Sequence, residues 1–282
     1  MRFELLDSLS IPGDLAKTNE DSFSHGQSFA CVFDGATVLG ENLMPGPSDA
    51  HWIAQFGARR LRAHSELDAG SPKDMLRSAA EDAEKSFKAL RRRAPRENYE
   101  TPFASLMAMF IRDDALSALW FGDCAALIRP AGGPVSIVGE TLRMRARERD
   151  RVSQLSEKAG AAGPAVREQF LPALRASRNG VNTKNSAWLF SPDVRCGDHA
   201  HERRLTLAAD TLILLASDGF LALTSDYGRY NADELFAAAE SRGLAALGKE
   251  LRDIEASDPN GIRYPRFKSS DDATAMLLAL RT

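Results

Sequence analysis

The residues of this sequence best suited to chemistry are acids, and they recur at the ends of apolar runs. Asp34 follows Ala30, Cys31, Val32 and Phe33 and precedes Gly35. Asp123 follows the run 115–121 and Gly122, and Asp218 follows the run 211–216 and Ser217 and precedes Gly219. Asp271 and Asp272 stand directly before the run 273–280, and Glu20 and Asp21 stand ahead of the first buried run. Taken singly, Asp-Gly after a strand is a turn, because both residue types tolerate turn geometry. Taken together, the acids predict several carboxylates at one edge of a sheet core. Such a cluster is unfavourable alone, because like charges repel and loss of water raises carboxyl pKa values. A hard divalent ion with oxygen ligands relieves both costs, so Mg²⁺ or Mn²⁺ suits the cluster better than zinc. Gly35 permits close backbone approach, and its carbonyl oxygen is a further candidate ligand.

The elements that must position these acids can be read from the same pattern. Short apolar runs at 28–33, 103–111, 115–121, 124–128, 187–190, 211–216 and 273–280 predict strands. The gaps at 112–114 and 122–123 are too short for helical crossovers and predict antiparallel hairpins. Ser48 or Asp49 caps a first helical pattern, Pro72 and Asp74 open a second, and Asn231 or Asp233 starts a third that Gly243 and Gly248 interrupt. Residues 141–185 and 257–270 read as irregular, the first a mixture of helix and loop. Strands with hairpins among them, interleaved with groups of helices, predict an α+β layered domain rather than a doubly wound parallel sheet.

Composition excludes several classes. The chain has 282 residues, 44% hydrophobic and 27% charged, which is enough to bury a core without staples. A formal net charge of −3 gives no reason to expect nucleic acid or an anionic membrane as partner. Three cysteines, Cys31, Cys124 and Cys196, form no close pair and suit a reduced compartment. No apolar run approaches the roughly 20 residues of a spanning helix, and the N-terminal stretch does not read as an export signal, so a cytoplasmic location is expected.

The series TNEDSF (18–23), CVFDGA (31–36), FGDCAALI (121–128), LLASDGFLAL (214–223) and SSDDATAMLL (269–278) resembles, in order and spacing, the PP2C family of metal-dependent serine/threonine phosphatases. The resemblance runs from about residue 13 to the end and implies one domain over 1–282, with an irregular insert or flap at about 141–185. It implies a four-layer α/β/β/α sandwich of two antiparallel sheets, with two Mg²⁺ or Mn²⁺ ions at one end. It implies that Asp34 bridges the two ions, that Gly35 ligates one through its carbonyl, and that Asp218 and Asp271 complete the second. Glu20 and Asp21 would hold metal-bound waters, and Asp123 would serve a third, weaker ion. The implied reaction is direct attack of a metal-bridging water on the phosphoryl group of a phosphorylated protein, without a covalent enzyme intermediate.

The chain also departs from that family. Ala16 stands where bacterial relatives carry the arginine that clamps substrate phosphate, Cys124 replaces a serine after Gly-Asp, and Asp272 replaces an asparagine. Lys17 is the nearest cation in sequence and joins Asp34 and Asp218 as an expected catalytic residue, although a point charge does not replace a bidentate fork. Arg178, Asn179, Lys184, Arg263, Arg266 and Lys268, in the irregular stretches, are the alternative clamps, with Arg178 and Arg266 the ones expected to reach over the site. A phosphoprotein-binding or regulatory module of the same fold, with weak or no catalysis, is the competing expectation. The pair His199 and His201 reads as a solvated loop, since a hard-metal cluster prefers oxygen.

Overall fold

Strands with a period-two apolar pattern build two five-stranded antiparallel sheets. The computed structural model describes residues 1–67, 70–112, 115–139, 164–206, 208–266 and 268–282, with side chains from 168 onward in the segment that begins at 164. One sheet contains β1 (Arg2–Ile11), β6 (Ala125–Arg129), β7 (Ser136–Val138), β9 (Leu212–Ala216) and β10 (Ala273–Arg281), in the order β1-β10-β9-β6-β7. The other contains β2 (Asp21–His25), β3 (Phe29–Gly35), β4 (Ala104–Arg112), β5 (Ala115–Phe121) and β8 (His201–Leu205), in the order β2-β3-β4-β5-β8.

Alternation along each strand produces the layers, because successive side chains point to opposite faces. Ala30, Val32, Met107 and Met109 of the second sheet meet Ile213, Leu215, Met276 and Leu278 of the first between the sheets. The intervening residues Phe29, Cys31 and Phe33 pack outward with α1 (Asp49–Glu66) and α2 (Pro72–Leu90). On the far side, Leu214, Ala216, Ala275 and Leu277 pack with α4 (Asp218–Ser225), α5 (Ala232–Arg242) and α6 (Leu244–Ser257). The remaining helix, α3, spans Pro164–Asn179. The result is the expected α/β/β/α sandwich.

Local chemistry sets the helix ends. Ser48 caps α1 by accepting from the His51 amide, and Ser71 with Asp74 forms a reciprocal capping box at α2. Asn231 and Glu234 do the same for α5. The expected break falls at Gly243, whose φ of +81° favours glycine. Gly248 does not break the chain. It lies within α6, where a Cβ would stand 2.6 Å from Leu9, so its role is close helix–strand packing.

Two sequence expectations are corrected. The gap at Gly122–Asp123 is not a hairpin: β5 and β6 belong to different sheets, so the turn carries the chain across the sandwich. The run 187–190 is not a strand and makes only the single bridge Ala104–Phe190. Of the segment 141–185, expected as a mixture of helix and loop, the part up to 163 lies outside the described residues, and the rest is α3 followed by turns. Among the described residues, no helix is long and apolar enough to cross a membrane.

Candidate functional site

Sheet register brings the acids together. Asp21 of β2 pairs with Asp34 of β3, and Asp34 pairs with Ser105 of β4, so the three stand in one line across the second sheet. The Ser105 hydroxyl donates to Asp123 Oδ1 at 2.6 Å, fixing the acid that follows the Gly122 turn. From the other sheet, β9 ends at Ala216 and delivers Asp218 at the start of α4, while β10 begins just after Asp271 and Asp272. Carboxylate oxygens of Asp34, Asp123 and Asp218 all lie within 4.8 Å of one another. They line a cavity of about 400 Å³ together with Gly35, Thr37, Leu174, Arg178, Lys268 and Asp271.

The other expected ligands hold different partners. Glu20 accepts from Thr37 Oγ1 at 2.6 Å and from Ser48 Oγ at 2.7 Å. Asp21 is buried and accepts from Ser217 Oγ at 2.7 Å. Asp271 Oδ1 accepts from Lys268 Nζ at 2.6 Å. Asp272 holds the 13–20 loop by accepting from the amides of Gly13 at 2.8 Å and Glu20 at 2.6 Å. Gly35 sits where a Cβ would fall 2.4 Å from the Ala50 carbonyl oxygen, so only glycine lets α1 approach β3 here.

The electrostatics are those of crowded acids. Burial pushes the Asp34 carboxyl well above the usual range, and Asp218, Asp21, Asp123 and Asp271 push it further. Burial raises Asp21 as well; the Ser217 hydroxyl pulls it back, and Asp272, Asp271 and Asp218 add to the rise. The three cysteines are buried free thiols. Cys124 is raised by burial and then by Asp34, so its thiol is inert as a nucleophile.

The expected cations separate clearly. Lys17 is 79% exposed, faces Asp14 at 3.6 Å, and lines a neighbouring groove rather than the acid cavity. Arg266 also lines the acid cavity, and it donates to the Asp258 carboxylate at 3.0 Å and to the carbonyls of Ser269 and Tyr264, each at 3.0 Å. Arg178, on α3, donates to the Thr37 carbonyl at 2.6 Å and lines the acid cavity. His199 stacks on Trp188 at 3.7 Å and His201 on Trp120 at 5.3 Å; neither lines this cavity.

No family model matches the chain, and no curated protein matches its sequence. Solved structures do match. The serine/threonine phosphatase PstP/Ppp of Mycobacterium tuberculosis aligns over 100% of both chains with a TM-score of 0.59 and 15% identity. A PstP catalytic domain in complex with two manganese ions aligns over 100% of this chain and 98% of that one, with a TM-score of 0.53 and 14% identity. The phosphatase MsPP of Mycobacterium smegmatis aligns over 98% of this chain and 99% of that one, with a TM-score of 0.56 and 14% identity. This chain has the PP2C fold.

Within the PP2C fold, several polar residues beside the acids had no distinct sequence signal. Ser105 and Ser217 are single hydroxyls inside apolar runs. Thr37 and Ser48 reach Glu20 from 17 and 28 residues away. Lys268 is one of several candidate phosphate clamps in the irregular stretches, and its pairing with Asp271 had no sequence signal.

Proposed function

We propose that this protein is a metal-dependent phosphatase of phosphoserine and phosphothreonine in proteins. The observation that carries the reading is the convergence of Asp34, Asp123 and Asp218 in one cavity of a PP2C-like sandwich. These residues fit a hard divalent cation: the donors are all oxygen, and the charge on Asp34 is penalised by burial and by neighbouring acids. In this reading the triad holds Mg²⁺ or Mn²⁺, Asp271 and the Gly35 carbonyl extend the site, and Glu20 and Asp21 lie behind it. The two manganese ions in the PstP complex support this choice of metals. A divalent cation supplies an acidified water and takes up charge from the phosphoryl oxygens.

This chain's own residues orient and exclude. Ser105 holds the Asp123 carboxylate at the cavity, while Ser217 holds Asp21 and Thr37 with Ser48 holds Glu20 behind it, so the acids keep fixed positions. Asp34 and Asp218, the acids contributed by the two sheets, are the expected catalytic pair. Two guanidinium groups line the cavity, Arg178 and Arg266, and Arg178 is the one we take as the contact for a phosphate dianion. Lys17, on the rim of the groove, serves the peptide around the phosphate. The inert thiols favour attack by water over a covalent route. The substrate is a phosphorylated protein, and the cytoplasm is the proposed location.

One observation favours the second reading, a weakly active or inactive binding module. Position 16 is alanine, and Lys17 turns toward Asp14 rather than into the cavity. Hydrolysis of a phosphoserine peptide and of an aryl phosphate, with Mn²⁺ and then with excess chelator, separates the two. Turnover that chelator abolishes supports the phosphatase. Peptide binding without turnover at saturating Mn²⁺ favours the module.

A further inference from the structure

Neutral donors answer most of the acid cluster. Serine and threonine hydroxyls serve Asp123, Asp21 and Glu20, and backbone amides serve Asp272. Asp271 differs, because its Oδ1 takes the ammonium of Lys268 at 2.6 Å as well as its neighbour's amide at 3.1 Å. The three oxygens that converge come from Asp34, Asp123 and Asp218, while Asp271 is directed to the lysine.

The lysine is also held in place, unlike an ordinary surface lysine. Its side chain is 38% exposed and lines both the acid cavity and the adjoining groove, which share Thr37, Leu39 and Asp271. The turn that carries it is anchored on both sides. Arg266, locked to Asp258, donates to the Ser269 carbonyl, and Arg252 donates to the Asp271 carbonyl at 2.8 Å. Against α4 the fit is closer still: a Cβ on Gly219 would stand 2.0 Å from the Asp272 carbonyl oxygen.

We infer that this cluster is built for one divalent ion on Asp34, Asp123 and Asp218 and one ammonium on Asp271, with Lys268 standing where a further ion would bind. The inference rests on the metal-dependent reading above and refines it. An ammonium is a compact point charge with three donors. It neutralises one carboxylate without any metal, and a second ion must displace it to reach Asp271.

The test is Mn²⁺ binding rather than turnover. Metal-stripped parent, Lys268→Met, Lys268→Arg and the double variant Lys268→Met/Asp271→Asn are titrated with Mn²⁺. Free ion is read by its electron paramagnetic resonance signal, and folding by far-ultraviolet circular dichroism. The parent and Lys268→Arg are expected to bind one ion. Lys268→Met gains a second ion or binds at least about tenfold more tightly, and the double variant loses the gain. Equal stoichiometry and affinity in parent and Lys268→Met overturns the inference and leaves the metal-dependent reading standing. No binding by either overturns both. If Lys268→Met does not fold, the parent decides: two ions, one of them lost in Asp271→Asn, overturns the inference, and one ion unaffected by Asp271→Asn upholds it.

Discussion

Glu100 and Asp34 are both acids fixed at the end of a backbone element, and their surroundings treat charge in opposite ways. Glu100 takes both guanidinium nitrogens of Arg93, at 2.7 and 2.9 Å, and the amide of Arg96 at 2.6 Å. The Arg93 hydrogen bonds lead in holding its carboxyl at about 2, well below the ordinary 4.5. Asp34 has four acids near it and a carboxyl pushed upward by burial and by their charge. One region is complete as folded, and the other carries a charge penalty that the proposed cation would offset. Proteins keep such unfavourable clusters where function requires them, at a cost in stability.

The largest expected effect breaks the unfavourable side. Asp34→Asn is expected to cut phosphopeptide hydrolysis at least about a thousandfold, about 4 kcal/mol in the barrier. In chelator the same variant should melt at or above the parent, because a penalised charge has been removed. Retention of most activity in Mn²⁺, or a melting point far below the parent in chelator, would contradict the account.

Metal should close the gap between the two regions. Mn²⁺ at a hundredfold excess over its dissociation constant is expected to stabilise the parent by about 2.7 kcal/mol, a rise of several degrees by calorimetry. Glu100→Gln should leave that rise unchanged, and Asp34→Asn should reduce it. A melting point indifferent to Mn²⁺ would count against a preformed site.

A smaller effect concerns substrate. Arg178→Ala is expected to raise KM about tenfold, about 1.4 kcal/mol, without altering the Mn²⁺ concentration needed for half-maximal activity. Lys17→Ala should change KM less. Steady-state kinetics on a phosphopeptide that show the reverse order would move the phosphate contact from the cavity wall to the groove rim.

The smallest effect is on the satisfied side and has a pH signature. The folded pKa of Glu100 is depressed, so its stabilisation is present above 4.5 and is lost as pH falls toward about 2. Glu100→Gln should therefore melt a few degrees below the parent at pH 7, with the gap narrowing between pH 4.5 and 2. A gap independent of pH would mean that packing, and not the ion pair, sets the cost.

The comparison also explains which features the sequence made legible. Asp34, Asp123 and Asp218 were visible because each ends an apolar run beside a glycine. The starts of α1, α2 and α5 were visible because Ser48, Pro72 with Asp74, and Asn231 belong to short local motifs. β1 and β8 were not visible: β1 interrupts its apolar residues with Arg2, Glu4, Asp7, Ser8 and Ser10, and β8 has only Leu205 after four polar residues. The turn Gly122–Asp123 was readable as a turn, but a short turn does not say which sheet the next strand joins. Arg266 and Arg178 read alike in sequence, and only the fold places Asp258 against Arg266. Lys268 was one charge in a basic stretch until the anchored turn set it on Asp271.

The central claim is that Asp34, Asp123 and Asp218 hold a divalent ion, and anomalous diffraction from a crystal soaked in Mn²⁺ tests it most directly. The account predicts a manganese peak coordinated by carboxylate oxygens from all three residues. A crystal with no peak in this cavity at saturating Mn²⁺, or with manganese bound only elsewhere, would contradict it.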